Sequence, residues 1–355
     1  MYYERIEKLR SSMAEKNLDG VLLIGDSNRN YLSGFTGDES FSIITKDKAV
    51  FITDSRYTEQ AKIQVKDYLV VEYKTNIVDF LANLVKEFGI KKLGFEEDVV
   101  TYSRYISFKE KFSCEVIPLN GIVEAIRIVK DETEISSIRK AAEIADMAFE
   151  HMRKFIKAGM TEIEVALELE FFMKKLGAKA LSFPSIVASG VRSSLPHGEP
   201  TNKIIKNGEF LTLDYGCVFE EYCSDMTRTL VVGQPDEKMT CIYNTVLEAQ
   251  RLALKAIRPG VNASDVDKVA RDYITDKGYG EYFGHGLGHG VGRQIHEAPG
   301  VNKRSEVVLS VGMVITDEPG IYLPNFGGVR IEDLVVVTED GCEILSKSTK
   351  ELITL

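Results

Sequence analysis

The chain has 355 residues and a mass of 39.7 kDa, long enough for two domains and short for three. Its 44% hydrophobic and 28% charged residues are those of a globular protein and exclude a disordered one. Asp+Glu number 54 against 44 Lys+Arg, and the formal charge of −10 excludes the broad positive field that non-specific nucleic-acid binding uses.

In chain order, residues 1–12 (MYYERIEKLRSS) read as a charged amphipathic helix rather than a signal peptide. Short apolar strands are predicted at 21–25, 41–45, 48–53, 68–72, 91–95 and 114–118, with helices near 55–65, 77–88 and 102–111 between them. That alternation predicts a small α/β domain. A different pattern starts near Lys130: Ile135, Ile138, Ala142, Ala145, Phe149, Met152 and Ile156 recur at spacings of three and four, one face of a long helix. Asp131 with Glu134 forms a capping-box pattern at its start. Gly159 separates it from a second helix, capped by Thr161 and Glu164 and running to Gly177. Further helices are expected at 238–257 and, beyond Pro259-Gly260, from Ser264. The domains are placed at 1–122 and 123–355.

The second domain repeats itself. Gly208 and Asp214 recur as Gly312 and Glu318 at an offset of 104, and the Gly159 and Gly260 joints between helices are 101 apart. A second acid follows in each copy, Asp225 before Met226-Thr227-Arg228-Thr229 and Glu332 before Asp333-Leu334-Val335-Val336. Helix–glycine–helix–strand–strand therefore occurs twice, the pattern of a duplication with a pseudo-twofold axis. An acid inside an apolar strand is unfavourable unless it is paired or binds a cation. Four of them in two matching pairs point to a shared cation site.

The chain has five histidines, and three of them, His285, His289 and His296, lie within twelve residues. The loop Gly284–Gly292 (GHGLGHGVG) is glycine-dense and supplies an imidazole. Four carboxylates and one imidazole suit Mn²⁺ and accommodate Co²⁺, Fe²⁺ or Zn²⁺, and two divalent ions would balance four carboxylates. Such ions make a bound water nucleophilic near neutral pH, so the implied chemistry is hydrolysis. The five cysteines, Cys114, Cys217, Cys223, Cys241 and Cys342, contain no CxxC and read as free thiols in a reducing cytoplasm. No apolar run approaches the roughly 18–20 residues of a membrane helix.

The segments Asp214-Tyr215-Gly216, Ser224–Thr229 (SDMTRT), His285–Gly292, Glu318-Pro319-Gly320 and Arg330-Ile331-Glu332-Asp333 resemble the motifs of the pita-bread metallopeptidases, which include methionine aminopeptidase, prolidase and aminopeptidase P. The resemblance implies an α+β pita-bread catalytic domain with an internal pseudo-twofold, preceded by a smaller α/β creatinase-like domain. It implies Asp214, Asp225, His289, Glu318 and Glu332 as ligands of two metals. Ser189–Gly198 (SGVRSSLPHG), Asn28–Gly37 (NRNYLSGFTG) and Thr53–Tyr57 (TDSRY) are similar to the Xaa-Pro branch over nearly the whole length.

The activity implied is hydrolysis of the bond between an N-terminal residue and a following proline in small peptides. Glu318 would be both ligand and general base. His296 would bind the substrate carbonyl, and His197 and His285 would shape the proline pocket. Arg330 would reach the substrate or support a ligand carboxylate. His151 has no partner motif and no role. Some prolidases carry an arginine shortly after the histidine that is His296 here. His296-Glu297-Ala298-Pro299-Gly300 has none; Arg293, Lys303 or Arg304 could substitute, and the balance favours slightly an aminopeptidase P-like enzyme over a strict Xaa-Pro dipeptidase. The intact ligand set argues against creatinase, which works without metals, and against the non-catalytic binding proteins built on this fold. The resemblance also implies a cytoplasmic homodimer.

Overall fold

The computed structural model of the chain describes residues 2–355, which divide into two compact units, one reaching to Arg127 and the other spanning Ile128–Leu355. The helix Ile122–Arg127 goes with the first unit, where the sequence expectation put the division at 122/123.

In the first unit the six expected strands form one sheet: β1 (Gly20–Leu23), β2 (Ser40–Thr45), β3 (Ala49–Thr53), β4 (Leu69–Glu72), β5 (Lys92–Phe95) and β6 (Glu115–Pro118). Their order is β4-β3-β2-β1-β5-β6, antiparallel across β1–β2–β3 and parallel elsewhere. Successive side chains of a strand point to opposite faces. Leu22 accordingly packs with Ile43, Leu93 and Phe108, while Val21 and Leu23 pack with Leu9, Met13 and Ile44 beneath the helix Tyr2–Glu15. Both faces are covered, which is why β1 reads as an unbroken apolar run. Two short helices were not anticipated: Ile122–Arg127, and Asp26–Ser33 within the Asn28–Gly37 motif. The latter is polar in sequence yet buries Asn28, Arg29 and Asn30. Arg29 bonds the carbonyls of Ile24 and Ser40 at 2.8 and 3.1 Å, and Asn28 bonds Glu96 at 2.7 Å.

The second unit is the expected duplication. Helices Glu132–Phe155 and Glu162–Lys175 pack on strands Glu209–Tyr215 and Met226–Val232 through Ala145, Phe149, Leu169, Leu211, Leu213 and Leu230. Helices Glu237–Ala256 and Ala263–Asp276 pack on strands Val314–Asp317 and Asp333–Thr338 through Val246, Val266, Ile274, Ile315, Val335 and Val337. Both strand pairs are antiparallel. The capping boxes at Asp131/Glu134 and Thr161/Glu164 are both present. The fourth helix starts at Ala263, one residue before the expected Ser264, and is capped by Asn262, which accepts from Ser264 N at 3.1 Å. Gly159 and Gly260 both turn between helices with φ of 97° and 84°. The matching bridges Thr161–Ile204 and Asn262–Val308 follow them. Each copy carries a hairpin between its two strands, Cys217–Phe219 with Tyr222–Cys223 in the first and the longer Gly320–Leu323 with Gly327–Arg330 in the second. No helix among the described residues is long and apolar enough to cross a membrane.

Candidate metal centre

The period of two that sends Leu211 and Leu213 into the helices puts Thr212 and Asp214 on the opposite face. Asp214 is register partner to Thr227, one strand over. Asp225 ends the turn just before Met226–Val232, Glu318 follows Val314–Asp317 directly, and Glu332 precedes Asp333–Thr338 directly. All four acids therefore stand at or near strand ends. Asp214, Asp225 and Glu332 are buried.

His289 lies on a short strand, Gly288–Gly290, paired with both Glu297–Val301 and Val314–Asp317. The glycines permit that double pairing: a Cβ on Gly288 would sit 2.1 Å from the Thr316 carbonyl oxygen. His289 Nδ1 is 3.1 Å from the Gly290 carbonyl oxygen. A carbonyl only accepts, so Nδ1 carries the proton and Nε2 presents a lone pair. That Nε2 lies 3.6 Å from Asp225 Oδ2 and 3.4 Å from Glu318 Oε1. Burial first, and His296 beside it, hold the His289 pKa down to about 4, so the imidazole is neutral at pH 7.

A neutral imidazole lone pair facing two carboxylates is mutually unfavourable without a cation among them. Three more observations fit one. Asp225, His289 and Glu332 each offer a ligand atom, all within 4.8 Å of one another. Asp214 Oδ1, Asp225 Oδ1 and Glu332 Oε1 are buried with no hydrogen-bond partner. Burial first, then the neighbouring acids, holds the Asp225 and Glu332 carboxyls well above the usual carboxylate range and pushes Glu318 up to about 7. The donors are oxygen and imidazole nitrogen, a set suited to divalent ions of the Mn²⁺ to Zn²⁺ series.

The remaining expected residues surround this cluster. Arg330 is buried and donates to Asp214 Oδ2 at 2.5 Å, to Thr227 Oγ1 at 3.1 Å, to the Pro196 carbonyl at 3.2 Å and to Tyr322 Oη at 2.8 Å. Of its two expected roles, the geometry matches support of a carboxylate. His285 Nδ1 donates to the Gly286 carbonyl at 2.7 Å, so Nε2 accepts from Tyr322 Oη at 2.9 Å. Burial first, with Arg330 and Arg271 as positive neighbours, holds the His285 pKa down to about 4. The His296 ring stands 4.3 Å from that of His289, centroid to centroid. His197 and His296 are exposed. His151 bonds Glu168 at 2.6 Å and stacks on Phe172; it lines an open groove of about 510 Å³ that shares no residue with the acid cluster.

Several side chains that hold the cluster were missed in the sequence. Thr227 Oγ1 donates to Glu332 Oε2 at 2.7 Å while accepting from Arg330. Thr316 Oγ1 accepts from His289 N and donates to Glu318 Oε1, both at 3.0 Å. Asp333, next to Glu332, is fixed by Arg228 at 2.8 Å, Gln250 at 2.9 Å and Lys350 at 2.5 Å. Tyr322 joins Arg330 to His285. Strand threonines and a tyrosine carry no chemical signal by themselves; only the expected acids nearby could have prompted a search for their partners.

Known proteins match this architecture throughout. A model described as "Metallopeptidase family M24" matches residues 136–339, and one described as "Creatinase/Prolidase N-terminal domain" matches residues 5–129. The chain is 48% identical to the Bacillus subtilis protein named uncharacterized peptidase YqhT, over 99% of this chain and 100% of that one. A solved structure of an Xaa-Pro dipeptidase from Bacillus anthracis superposes with a TM-score of 0.98 at 52% identity, covering 100% of both chains. An X-Pro aminopeptidase from Thermotoga maritima superposes at 0.92 with 40% identity, covering 97% of this chain and 100% of that one. The chain therefore belongs to metallopeptidase family M24, as a divalent-metal-dependent peptidase whose pita-bread catalytic domain follows a creatinase-type α/β domain.

Proposed function

We infer that the protein hydrolyses the peptide bond between an N-terminal residue and a proline in second position. The observation that carries this is the neutral His289 Nε2 facing Asp225 and Glu318 within a nest of buried, partly unpartnered carboxylates. Asp214, Asp225, His289, Glu318 and Glu332 would hold two divalent ions, Mn²⁺ foremost. When bound, the ions supply Lewis acidity and lower the pKa of water towards neutrality. Glu318 takes the proton from the attacking water and returns it to the leaving proline nitrogen. His296, on the exposed side of His289, binds the scissile carbonyl. His197 and His285 shape the proline pocket, His285 as a neutral ring fixed by Tyr322. A proline nitrogen has no N–H, so the site binds its substrate without a donor at that atom.

The chain length accepted follows from what stands beyond the proline. A strict dipeptidase must recognise a free carboxylate there, normally with a cation. Across from His289 in the register stands Gly300, and a Cβ there would lie 2.7 Å from Asn302 Nδ2. Arg293 lies over the Tyr222 ring at 4.5 Å. The missing arginine in residues 296–300, with Arg293 held on Tyr222, favours an aminopeptidase that accepts longer chains. The name of the Bacillus anthracis structure favours the dipeptidase reading instead. Turnover of an Xaa-Pro dipeptide against the matching Xaa-Pro-Xaa tripeptide decides between them. The aminopeptidase reading expects comparable or faster cleavage of the tripeptide, and strong preference for the dipeptide contradicts it. Two copies are expected to associate; a mass of 39.7 kDa by light scattering would contradict that.

A further inference from the structure

Two buried carboxylates outside the metal centre hold the loops that carry His197 and His285. Glu162, the first residue of helix Glu162–Lys175, is fully buried. Its Oε1 accepts from Ser189 N at 2.8 Å and Ser189 Oγ at 2.9 Å. Its Oε2 accepts from Arg192 Nε at 3.1 Å, Thr201 N at 3.1 Å and Thr201 Oγ1 at 2.7 Å. Five donors from three points of one loop thus converge on one carboxylate, and two of those points, Arg192 and Thr201, bracket His197. The same loop gives the Pro196 carbonyl to Arg330, which itself bonds Asp214.

The other half of the duplication solves the same problem at a different position. Asp267, buried on helix Ala263–Asp276, accepts from Leu287 N at 3.0 Å and from Arg271 at 2.7 and 2.8 Å. Arg271 also donates to the carbonyls of His285 at 2.7 Å and Phe283 at 2.9 Å. At the offset of 101, the counterpart of Glu162 is Ala263, yet the strand bridge beside it, Asn262–Val308, still forms. The helix–strand joint therefore has no need of the carboxylate. What the first half has in addition is the loop with His197.

We propose that Glu162 is a positioning residue for His197, clamping the loop 189–201 against helix Glu162–Lys175, as Asp267 with Arg271 clamps the loop of His285. The proposal builds on the Xaa-Pro peptidase reading of the site. Glu162→Gln keeps the shape but presents an NH₂ to donors on one side, so the loop loosens while the metal ligands stay in place.

The test is a double-mutant cycle on the metal-loaded full chain with Glu162→Gln, His197→Ala and both together, measured on an Xaa-Pro-Xaa peptide. Glu162→Gln is expected to lower kcat/KM about tenfold or more, chiefly through KM, with metal content unchanged. The double variant is expected to fall no further than His197→Ala alone. Unchanged kcat/KM in Glu162→Gln, or single losses that multiply in the double variant, would overturn the proposal. The rate of His197 carbethoxylation by diethylpyrocarbonate, read by mass spectrometry, needs no turnover. A changed rate at His197 with His151 unaffected supports the clamp even if no Xaa-Pro peptide is cleaved, and an unchanged rate overturns it. Should Glu162→Gln fail to fold, Arg192→Met, at a side chain one-quarter exposed, takes its place with the same expected outcomes.

Discussion

At the scale of single residues, the site is a set of acids kept apart from their usual partners. Among the described residues Arg330 is the cation bonded to them, and it reaches only Asp214 Oδ2 of the four carboxylates. Thr227 takes one oxygen of Glu332 and leaves the other without a partner. Thr227→Val keeps the shape and removes that donor together with the acceptor for Arg330 Nε. It is expected to weaken metal binding by about 10- to 100-fold, with activity recovered in excess metal; equilibrium dialysis alongside activity checks this. Tyr322→Phe deletes the hydroxyl shared by Arg330 and His285. Its loss is expected in peptide turnover, by about tenfold or more, with metal content kept, so kinetics and metal analysis on one preparation separate the two cases.

At the scale of elements, the strand Gly288–Gly290 is a narrow joint, with backbone on both sides. Gly288→Ala puts a methyl 2.1 Å from the Thr316 carbonyl oxygen, so the strands must part. The expected loss is about 1–3 kcal/mol of stability by denaturant unfolding, together with weaker metal binding, because His289 moves with its strand. The elements themselves were largely legible: the six strands of the first sheet, the capping boxes and the repeat all carry local patterns of period and cap. The four candidate acids stood out because an acid in an apolar strand is costly unless a cation or a donor faces it, and they recur in step with the repeat, whereas His289 was singled out from its neighbours only by the family resemblance. Asp26–Ser33 was not, since its buried asparagines and arginine are satisfied by Glu96, 68 residues away, and by carbonyls of the flanking segments, which no apolar period records. Thr227, Thr316 and Tyr322 were hidden for a related reason. Thr227 meets Glu332 across 105 residues, and Tyr322 meets His285 across 37, separations that no local period records.

At the scale of the whole molecule, the duplication places two acids from each half around one histidine, and folding must bring those charges together. Metal removal is therefore expected to make stability depend on pH. An unfolded histidine titrates around pH 6.5, so His285 and His289, depressed to about 4 in the fold, make stability rise with pH up to about 7.5 and add little slope above it. Glu318, raised to about 7 from 4.5, holds protons in the fold that the unfolded chain has released, and the upward shifts of Asp225 and Glu332 act in the same direction. Folded chains then bind more protons than unfolded ones, so stability falls as pH rises. The chelated protein is expected to lose Tm between about pH 7.5 and 8.5, and the metal-loaded protein to lose little. Differential scanning calorimetry at several pH values reads both; parallel curves would contradict the arrangement of charges described here.

The most direct measurement of the central claim is peptide cleavage by the Mn²⁺-loaded protein on two tripeptides that differ only at the second residue, Ala-Pro-Ala and Ala-Ala-Ala. Release of the N-terminal alanine from the proline peptide alone, abolished by Asp214→Asn, is the predicted result. Equal cleavage of the two peptides, or full activity in Asp214→Asn, would contradict it.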